Sequence, residues 1–434
     1  MPCSLSSGVC CCRQSFVLTT NRMPTHLTRR QAIAQLAGAA GAAAFAPAAS
    51  AASARRKQLL VLFLSGGASQ LETWDPKPGT KFGGPFRAIN TSLDGVRIGE
   101  LLPRTAKIMH RLAVVRSVNS NLPDHEKGHY AIQAGRLAPG YPVLGSAVAK
   151  LLEQPGDVLP GYITLRRAGP KAYTDTGDAG FLGAKYEGVR VIDGLPPENL
   201  IVPAGTTAAA LQSRDAARRA ADERFLRSHA KAPIHGYSTT FDQARALMQR
   251  REIFDLKAES PQDIERYGRH DFGQNCMLAR RLLEAGVPCV RVVHFDWDAH
   301  QDNFYWHQIR CAEFDRTFVT LLDDLEQRGM LEHTLVVVTG EMGRTPQINN
   351  LGGRDHWGRA WSVAMAGCGI KQGIVHGATN DLGTEVKDHE VGIGDLFHTY
   401  LTALGIDSSA DYDLNGQTNP VADPAAGPIK AVLA

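Results

Sequence analysis

The chain has 434 residues, of which 43% are hydrophobic and 21% are charged. This composition is that of an ordinary soluble globular protein, and the length suits one large α/β domain with insertions or two domains. The first 54 residues contain four arginines and no acidic residue, so the formal charge of +3 for the whole chain becomes about −1 without them. Such a balance does not favour a nucleic-acid partner.

The N-terminal stretch has the pattern of an export signal. Arg29 and Arg30 precede a weakly hydrophobic Ala/Gly/Leu segment that ends in an Ala-Ser-Ala sequence at 52–54, which a signal peptidase can cut. Paired arginines before such a segment are typical of twin-arginine signals. We therefore expect residues 1–54 to be a twin-arginine signal, the twin-arginine export machinery to be a partner, and the mature protein to be periplasmic or secreted without a stable membrane span.

The cysteines leave two questions open. Residues 1–22 are rich in cysteine and precede a more ordinary signal start at Met23, so they are either a mis-assigned start or an extension with a metal or lipid role. The four later cysteines have no CxxC spacing and are either disulfide partners in an oxidising compartment or isolated buried thiols. They are Cys276, Cys289, Cys311 and Cys368.

From residue 55 onward, apolar runs alternate with amphipathic segments. The runs predict strands at 58–64, 112–115, 289–295, 335–338, 361–366 and 373–376. The amphipathic segments predict helices at 271–285, along 309–325 and at 393–404. Strand and helix in this order favour an α/β fold with a mostly parallel sheet that is covered on both faces.

Residues 151–260 interrupt this alternation. Pro- and Gly-rich loops lead there into a charged stretch at 208–257 that has helical character and no periodic strand signal. We expect an insertion or cap, mainly helical, that shapes the site.

Polar loops follow the predicted strands. Gly66 and Gly67 follow the first strand and form either a tight turn or a close backbone approach to a ligand, without the spacing of a phosphate loop. After the second strand come Asp124, His125 and His129, and the two histidines share one face if the segment is helical. That spacing suits metal ligation or anion binding, and equally a pair of surface histidines.

Later loops add more acids and imidazoles. They supply Asp298 and His300, then Glu341 and Arg344, then Asp355 and His356. Loops at the carboxyl ends of parallel strands meet in one crevice, where carboxylates and imidazoles bind divalent ions and an arginine can clamp an anionic oxygen pair. Taken alone, each segment could instead be a helix cap or a surface ion pair.

Five ordered motifs resemble one bacterial secreted family. SGGASQLETWDPKP, PDHEKGHYAIQAGR, WDAHQDNF, VVVTGEMGRTPQIN and GRDHWGRAWSVAMAG are similar to the family called domain of unknown function 1501, a sulfatase-like relative of the alkaline phosphatase superfamily. The resemblance runs from about residue 58 to about residue 406. It implies that residues 55–434 form an alkaline-phosphatase-like domain, a three-layer α/β/α sandwich with residues 151–260 as the insertion.

The same resemblance shows where the chain departs from active sulfatases. Gly66 and Gly67 stand where sulfatases carry a metal-binding acidic pair, and His125 and His129 stand at the positions of the nucleophile and the arginine of its motif. Glu341 keeps one carboxylate of a late metal-binding segment, and Met342 replaces the second ligand. The resemblance therefore argues against a covalent seryl, threonyl or formylglycine mechanism.

The sequence thus predicts an exported, metal-dependent hydrolase of phosphate or sulfate esters that acts on a small-molecule or glycan ester. The predicted ligands of zinc, manganese or calcium are Asp298, His300, Glu341 and His356. The predicted catalytic residues, which face the leaving or transferred group, are His125, His129 and Arg344. The alternative is a catalytically degenerate member that binds a glycan or partner protein without turnover.

Overall fold

The computed structural model describes residues 56–169, 179–195, 205–228, 234–414 and 416–434. The predicted export signal and its cysteines lie outside these residues. The helices are α1 (Pro103–Lys107), α2 (His125–Ala134), α3 (Leu144–Leu151), α4 (Ala208–Ser228), α5 (Ile234–Gln249), α6 (Pro261–Tyr267), α7 (Asp271–Glu284), α8 (Asn303–Gln327) and α9 (Ile393–Ala403).

Sixteen strands complete the described chain. They are β1 (Gln58–Leu64), β2 (Ala88–Asn90), β3 (Arg97–Gly99), β4 (Leu112–Val118), β5 (Tyr162–Arg166), β6 (Val189–Ile192), β7 (Cys289–His294), β8 (Thr334–Thr339), β9 (Gly343–Ile348), β10 (Arg354–Trp357), β11 (Trp361–Gly367), β12 (Ile374–His376), β13 (Ala378–Thr379), β14 (Val386–Asp388), β15 (Asp411–Leu414) and β16 (Gln417–Pro420).

Eight of these strands form one mixed, mostly parallel sheet. Its order is β12-β4-β11-β8-β1-β7-β5-β6. At its centre Leu62 of β1 pairs in parallel with Val292 of β7 on one side and with Val338 of β8 on the other. Strand β11 runs antiparallel to both β4 and β8, and the remaining strands share one direction. The carboxyl ends of β1, β4, β7 and β8 therefore lie along the same edge of the sheet.

Both faces of this sheet are covered. Because successive side chains of a strand point to opposite faces, β1 divides its apolar residues between two cores. Leu60, Leu62 and Leu64 pack with α7 and α8 on one face, and the alternate residues of β1, including Phe63, pack with α2, α3 and α9 on the other. The predicted three-layer α/β/α sandwich is confirmed.

The region 151–260 contributes more to the sheet than its sequence indicates. Strands β5 and β6 extend the sheet beyond β7, with Ile163 paired to Val290 and to Val189. Neither strand was predicted, because both are short and the Pro/Gly-rich loops around them mask their apolar pattern. Helices α4 and α5 supply the expected helical part.

Two further findings bear on the sequence predictions. The four cysteines of the described chain are free and buried, which selects isolated thiols over disulfides. None of the described helices combines enough length with enough apolar character to cross a bilayer.

Candidate metal centre

The seven predicted site residues come together at the carboxyl edge of the sheet. Their backbone positions are set by the segments that follow β4, β7 and β8 and by the hairpin of β9 and β10. His125 and His129 lie in α2, Asp298 and His300 follow β7, Glu341 follows β8, and Arg344 and His356 face each other across the hairpin.

The start of α2 places two histidines on one buried face. Asp124 caps the helix, since its carboxylate accepts a hydrogen bond from the backbone N–H of Lys127 at 2.9 Å. His125 is the first helical residue, and His129 follows one turn later on the same side. The helix ends at Gly135 in the left-handed conformation, with φ of 69°. The segment is therefore helical, as the pairing of the two histidines requires.

The glycine pair after β1 forms a tight turn that packs directly against the site. Gly66 and Gly67 have φ of 105° and 84°. A Cβ atom on Gly66 would lie 2.5 Å from the backbone nitrogen of Asp298, and one on Gly67 would lie 2.6 Å from the carbonyl oxygen of Met342. The backbone N–H of Gly66 also donates to Glu341 Oε1 at 2.9 Å. Only glycine fits these two positions without displacing the site.

Three imidazoles at the site each have a hydrogen-bond acceptor next to Nδ1. Glu341 Oε1 lies 2.7 Å from Nδ1 of His125, and Asp355 Oδ1 lies 2.8 Å from Nδ1 of His300. The carbonyl oxygen of Pro123 lies 3.2 Å from Nδ1 of His356. An acceptor at Nδ1 favours the proton on that atom and leaves the lone pair on Nε2.

The Nε2 atoms of the same three imidazoles converge on Asp298. Nε2 of His125 lies 3.2 Å from Asp298 Oδ2, and those of His300 and His356 lie 3.1 Å and 3.3 Å from Asp298 Oδ1. Nε2 of His300 also lies 2.9 Å from Nε2 of His356. The three Nε2 atoms thus surround the carboxylate of Asp298, with His125 next to one of its oxygen atoms and the other two histidines next to the other.

This arrangement fits a divalent metal ion. Ligand atoms of His125, Asp298 and His356 all lie within 4.8 Å of one another, which makes them a group of described residues able to hold an ion. Neutral imidazole and carboxylate are common ligands of zinc and manganese, and the acceptors at Nδ1 orient the rings as they do around bound metals. A site of this chemistry could hold a metal. His300 is not a member of this group of three, but its Nε2 atom lies close enough to Asp298 and His356 to be a further ligand.

His125 contacts both Glu341 and Asp298, one through each ring nitrogen. The sequence assigned Glu341 to the metal and His125 to catalysis, whereas the structure turns His125 Nε2 toward Asp298 and puts Glu341 behind it, on Nδ1. Glu341 is fully buried and also accepts from Gly66, so its carboxylate is held away from the converging Nε2 atoms. The contact of Glu341 Oε1 with Nδ1 fixes the orientation of the His125 ring.

His129 lies deeper in the protein than His125. Its Nε2 atom is 3.8 Å from Glu341 Oε1, and its ring packs at 4.7 Å on the ring of Phe63. Burial lowers the pKa of His129 to about 4, with the charge of Glu341 opposing the shift and that of Arg291 adding to it. His129 is therefore a neutral, buried imidazole next to Glu341.

Arg344 is also buried, and its guanidinium is engaged with the protein. It donates to the backbone carbonyl of Gly67 at 3.0 Å, to that of Arg354 at 3.1 Å, to that of Gly66, and to Asp298 Oδ1. The sequence predicted that this side chain clamps an anionic group. Its hydrogen bonds instead fix the glycine turn and the carboxylate of Asp298.

The electrostatics of the cluster favour positive charge. Burial alone would lower the pKa of His125, but hydrogen bonds to Asp298 and Glu341 outweigh it and raise this pKa to about 9. Burial would raise the pKa of Asp298, yet hydrogen bonds from His125 and His356 and the charge of Arg344 hold it well below its usual value. The two carboxylates therefore stabilise a cation between them.

The cluster is open on one side. The side chains of His300 and Asp355 are 44% and 53% exposed, whereas that of His125 is 7% exposed. The exposed side of the cluster is therefore that of His300 and Asp355, and the Nε2 atom of His125 lies on its buried side.

The sequence profile of one family matches almost all of the described chain. The family is described as "Protein of unknown function (DUF1501)", and the match covers residues 56–433. The chain belongs to the DUF1501 family. The resemblance that the five sequence motifs indicated is thereby confirmed.

Solved structures with a similar fold include sulfatases and alkaline phosphatases. The PsFucS1 sulfatase from Pseudoalteromonas sp. is 13% identical, with a TM-score of 0.37, over 88% of this chain and 72% of that chain. An alkaline phosphatase superfamily protein from Vibrio parahaemolyticus is 12% identical, with a TM-score of 0.36, over 82% and 68%. The alkaline phosphatase of the Antarctic bacterium TAB5 is 12% identical, with a TM-score of 0.35, over 81% and 99%. No curated protein matches the DUF1501 chain in sequence.

Three groups in this DUF1501 site received no role from the sequence. Asp355 was one of the strand-end carboxylates suited to a divalent ion but was not among the predicted ligands, and its Oδ1 atom lies 2.8 Å from Nδ1 of His300. The carbonyl of Pro123 orients His356, and the backbone of Gly66 holds both Glu341 and Arg344. The sequence could have indicated Asp355 as a partner of a histidine, because it is an acid directly before His356. The carbonyl of Pro123 could not be found in this way, because every residue has a backbone carbonyl.

Proposed function

We propose that this protein is a metal-dependent hydrolase of phosphate or sulfate esters. Its metal ligands are His125, Asp298, His300 and His356. The observation that carries the proposal is the shared orientation of the three imidazoles, each held at Nδ1 by an acceptor and each directing Nε2 toward Asp298.

A divalent ion in such a place supplies Lewis acidity to an ester oxygen and lowers the pKa of water. Other side chains of the protein hold the proposed ligands in place. Glu341 and Asp355 orient His125 and His300, and Arg344 fixes Asp298. The open side next to His300 and Asp355 admits the ester, which is of the small-molecule or glycan class.

Attack by water suits the site better than a covalent route. His125 is almost fully buried, and both of its ring nitrogens have partners, so it is poorly placed as a nucleophile. Ser69 is buried beside His307, which accepts from its backbone N–H at 3.0 Å. No serine, threonine or cysteine side chain of the described residues forms a hydrogen bond with the four proposed ligands.

A second candidate is binding without turnover, of a glycan or a partner protein. The burial of Arg344 favours it, because a guanidinium whose donors are occupied by Gly66, Gly67 and Asp298 cannot also clamp a transferred phosphoryl or sulfuryl group. In this case the metal would hold the site or the ligand in place.

We also propose that the protein is exported by the twin-arginine machinery to the periplasm or beyond. The support is the sequence: paired Arg29 and Arg30, a weakly hydrophobic segment, and a small-residue cleavage site at 52–54. Replacement of both arginines by lysine should leave the precursor in the cytoplasm. Normal export of that variant would contradict the proposal.

Hydrolysis assays separate the two functions. The purified mature protein is freed of metal, supplied with Zn²⁺, Mn²⁺ or Ca²⁺ one at a time, and mixed with 4-nitrophenyl phosphate, 4-nitrophenyl sulfate and sulfated oligosaccharides. The hydrolase proposal predicts metal-dependent release of phosphate or sulfate that the His300→Ala/His356→Ala variant loses. Binding of metal and oligosaccharide with no release would instead favour the second candidate.

A further inference from the structure

A second polar feature lies inside the core, on the face of the sheet that α2, α3 and α9 cover. It is a cavity of about 30 Å³, bounded by β1, β5, β7 and β8 and by these three helices. Such a volume holds one or two water molecules or one ion of similar size. Most of its lining is apolar, but Arg291 of β7 and Tyr400 of α9 contribute to it.

Arg291 is buried without a negative partner. It is 3% exposed, its Nη1 atom donates to Gln133 Oε1, and its guanidinium lies 4.3 Å from the centre of the Phe63 ring. Nε and Nη2 have no hydrogen-bond partner among the described residues, and no described acidic side chain forms an ion pair with this arginine. A buried charge in this state is costly unless something else compensates it.

The other groups around the cavity add donors and no negative charge. Tyr400 is 2% exposed, and its hydroxyl has no partner among the described residues. Burial raises the pKa of Tyr400 and of the Cys289 thiol far above their usual values, so both stay neutral. Gln133 directs its Oε1 atom to Arg291 and its Nε2 atom to His129. The cavity is thus lined by a guanidinium and a hydroxyl that have unpaired donors and no acceptor among the described residues.

We propose that a single small monovalent anion of the halide type, chloride in the cell, binds in this cavity between Arg291 and Tyr400. The anion accepts from Nε and Nη2 of Arg291 and from Oη of Tyr400, and it balances the buried guanidinium. Water would satisfy the donors but leave the charge uncompensated. Phosphate and sulfate are too large for a cavity of about 30 Å³.

This site is separate from the proposed metal centre, although the two share a neighbour. Gln133 Nε2 lies 3.3 Å from Nδ1 of His129, and Nε2 of His129 lies 3.8 Å from Glu341. The anion therefore sits two side chains behind the carboxylate that orients His125. The proposal does not require the protein to be a hydrolase, because it concerns the stability of the fold and the charge of Arg291.

Thermal unfolding tests the site in solution. The mature protein is prepared in sodium gluconate, and chloride replaces gluconate at constant ionic strength. We expect the Tm to rise by about 2–5 °C and to saturate, as binding to the folded state alone requires. Arg291→Met should abolish this rise, whereas the surface variant Arg359→Met should retain it. A chloride response that is absent from the wild type, or equal in Arg291→Met, would overturn the proposal.

A milder variant and a direct observation guard against a folding artefact. Tyr400→Phe keeps the shape and the charge but removes one donor, so the chloride concentration for half of the Tm rise should increase severalfold. In crystals grown with bromide, the anomalous difference map should show a peak beside Arg291 and Tyr400. Only water in the cavity of those crystals would overturn the proposal.

Discussion

The Nε2 atoms of His300 and His356 lie 2.9 Å apart, and each imidazole has an acceptor at its Nδ1 atom, Asp355 Oδ1 in one case and the carbonyl of Pro123 in the other. With both protons on Nδ1, two lone pairs face each other across this distance. That arrangement is repulsive unless a cation shares the space between them. Asp298 adds negative charge next to the same two Nε2 atoms. A metal ion or a proton between the two histidines is therefore stabilised.

Replacement of Asp355 tests how much a residue that orients a proposed ligand contributes to metal affinity. Asp355→Ala removes the acceptor from Nδ1 of His300, and the ring can then rotate or change tautomer. We expect metal affinity to fall about 10- to 100-fold, as for other carboxylates that orient a metal-binding histidine. Isothermal titration calorimetry with Zn²⁺ and Mn²⁺ measures the change. Asp94→Ala, at an exposed acid, should bind as the wild type does, and equal affinities for the two variants would show that Asp355 has no orienting role.

The glycine turn gives a prediction about stability. Gly66→Ala forces a Cβ atom to within 2.5 Å of the Asp298 backbone at a φ of 105°, so we expect a loss of about 2–5 kcal/mol in the free energy of unfolding. Gly79 is the matched control, since it has a φ of 74° and a Cβ atom added there would meet nothing within 4 Å. Gly79→Ala should cost only about 1–2 kcal/mol. Urea denaturation of both variants measures the difference, and similar losses would mean that the close approach to Asp298 is unimportant.

Arg344 separates a positioning role from an anion clamp. Lysine cannot reproduce the four hydrogen bonds of the guanidinium, so Arg344→Lys should reduce the free energy of unfolding by about 2–4 kcal/mol and weaken metal binding through Asp298. Arg359→Lys, at an exposed position, should change neither quantity. If Arg344→Lys kept its stability and metal affinity but raised KM for an ester, Arg344 would be the anion clamp that the sequence predicted.

His294 gives the folded protein a dependence on pH that is independent of the metal centre. Burial lowers its pKa to about 4, although the hydrogen bond to Glu313 opposes the shift. The unfolded chain binds a proton at this histidine below about pH 6.5, and the folded chain does so only near pH 4. The free energy of unfolding should therefore fall, by up to about 3 kcal/mol, as the pH drops from 6.5 toward 4.

A variant at His294 checks the assignment. The His294 ring stacks on Phe272 at 4.1 Å, and the planar ring of His294→Phe can keep this stacking. The variant should make this part of the pH profile about half as steep, because His129, whose pKa is also about 4, contributes to the same range. Replacement of the exposed His389 by glutamine should leave the profile unchanged. A profile for His294→Phe as steep as that of the wild type would assign the pH dependence to other groups.

Much of the fold was predictable because its central strands carry strong local signals. The run from Gln58 to Leu64 is apolar on both faces, which in an α/β protein indicates a strand buried in the middle of the sheet, and β1 has these limits. Strands β5 and β6 lie near and at the sheet edge, and Arg166 and Arg190 break the apolar character of their short sequences. Their pairing depends on distant partners, which a local pattern does not reveal.

The sequence predicted which residues lie close together at the candidate site, but it did not predict which atoms of these residues face one another. Strand-end position identified His125, Asp298, His300 and His356 as neighbours, because parallel strands end at one edge. Which ring nitrogen faces inward depends on acceptors from other segments, such as Glu341 for His125. That information arises only when the loops pack together, so the sequence alone does not distinguish the proposed role of His125 from that of Glu341.

The metal content of the purified mature protein tests the central claim most directly. Elemental analysis should find close to one equivalent of zinc or manganese in the wild type, since three imidazoles and one carboxylate suit these ions. It should find little in His300→Ala/His356→Ala and wild-type content in the control His376→Ala/His389→Ala, whose rings stack at 5.2 Å outside the cluster. Absence of metal from the wild type after incubation with each ion, or equal content in the two double variants, would contradict the proposed metal centre.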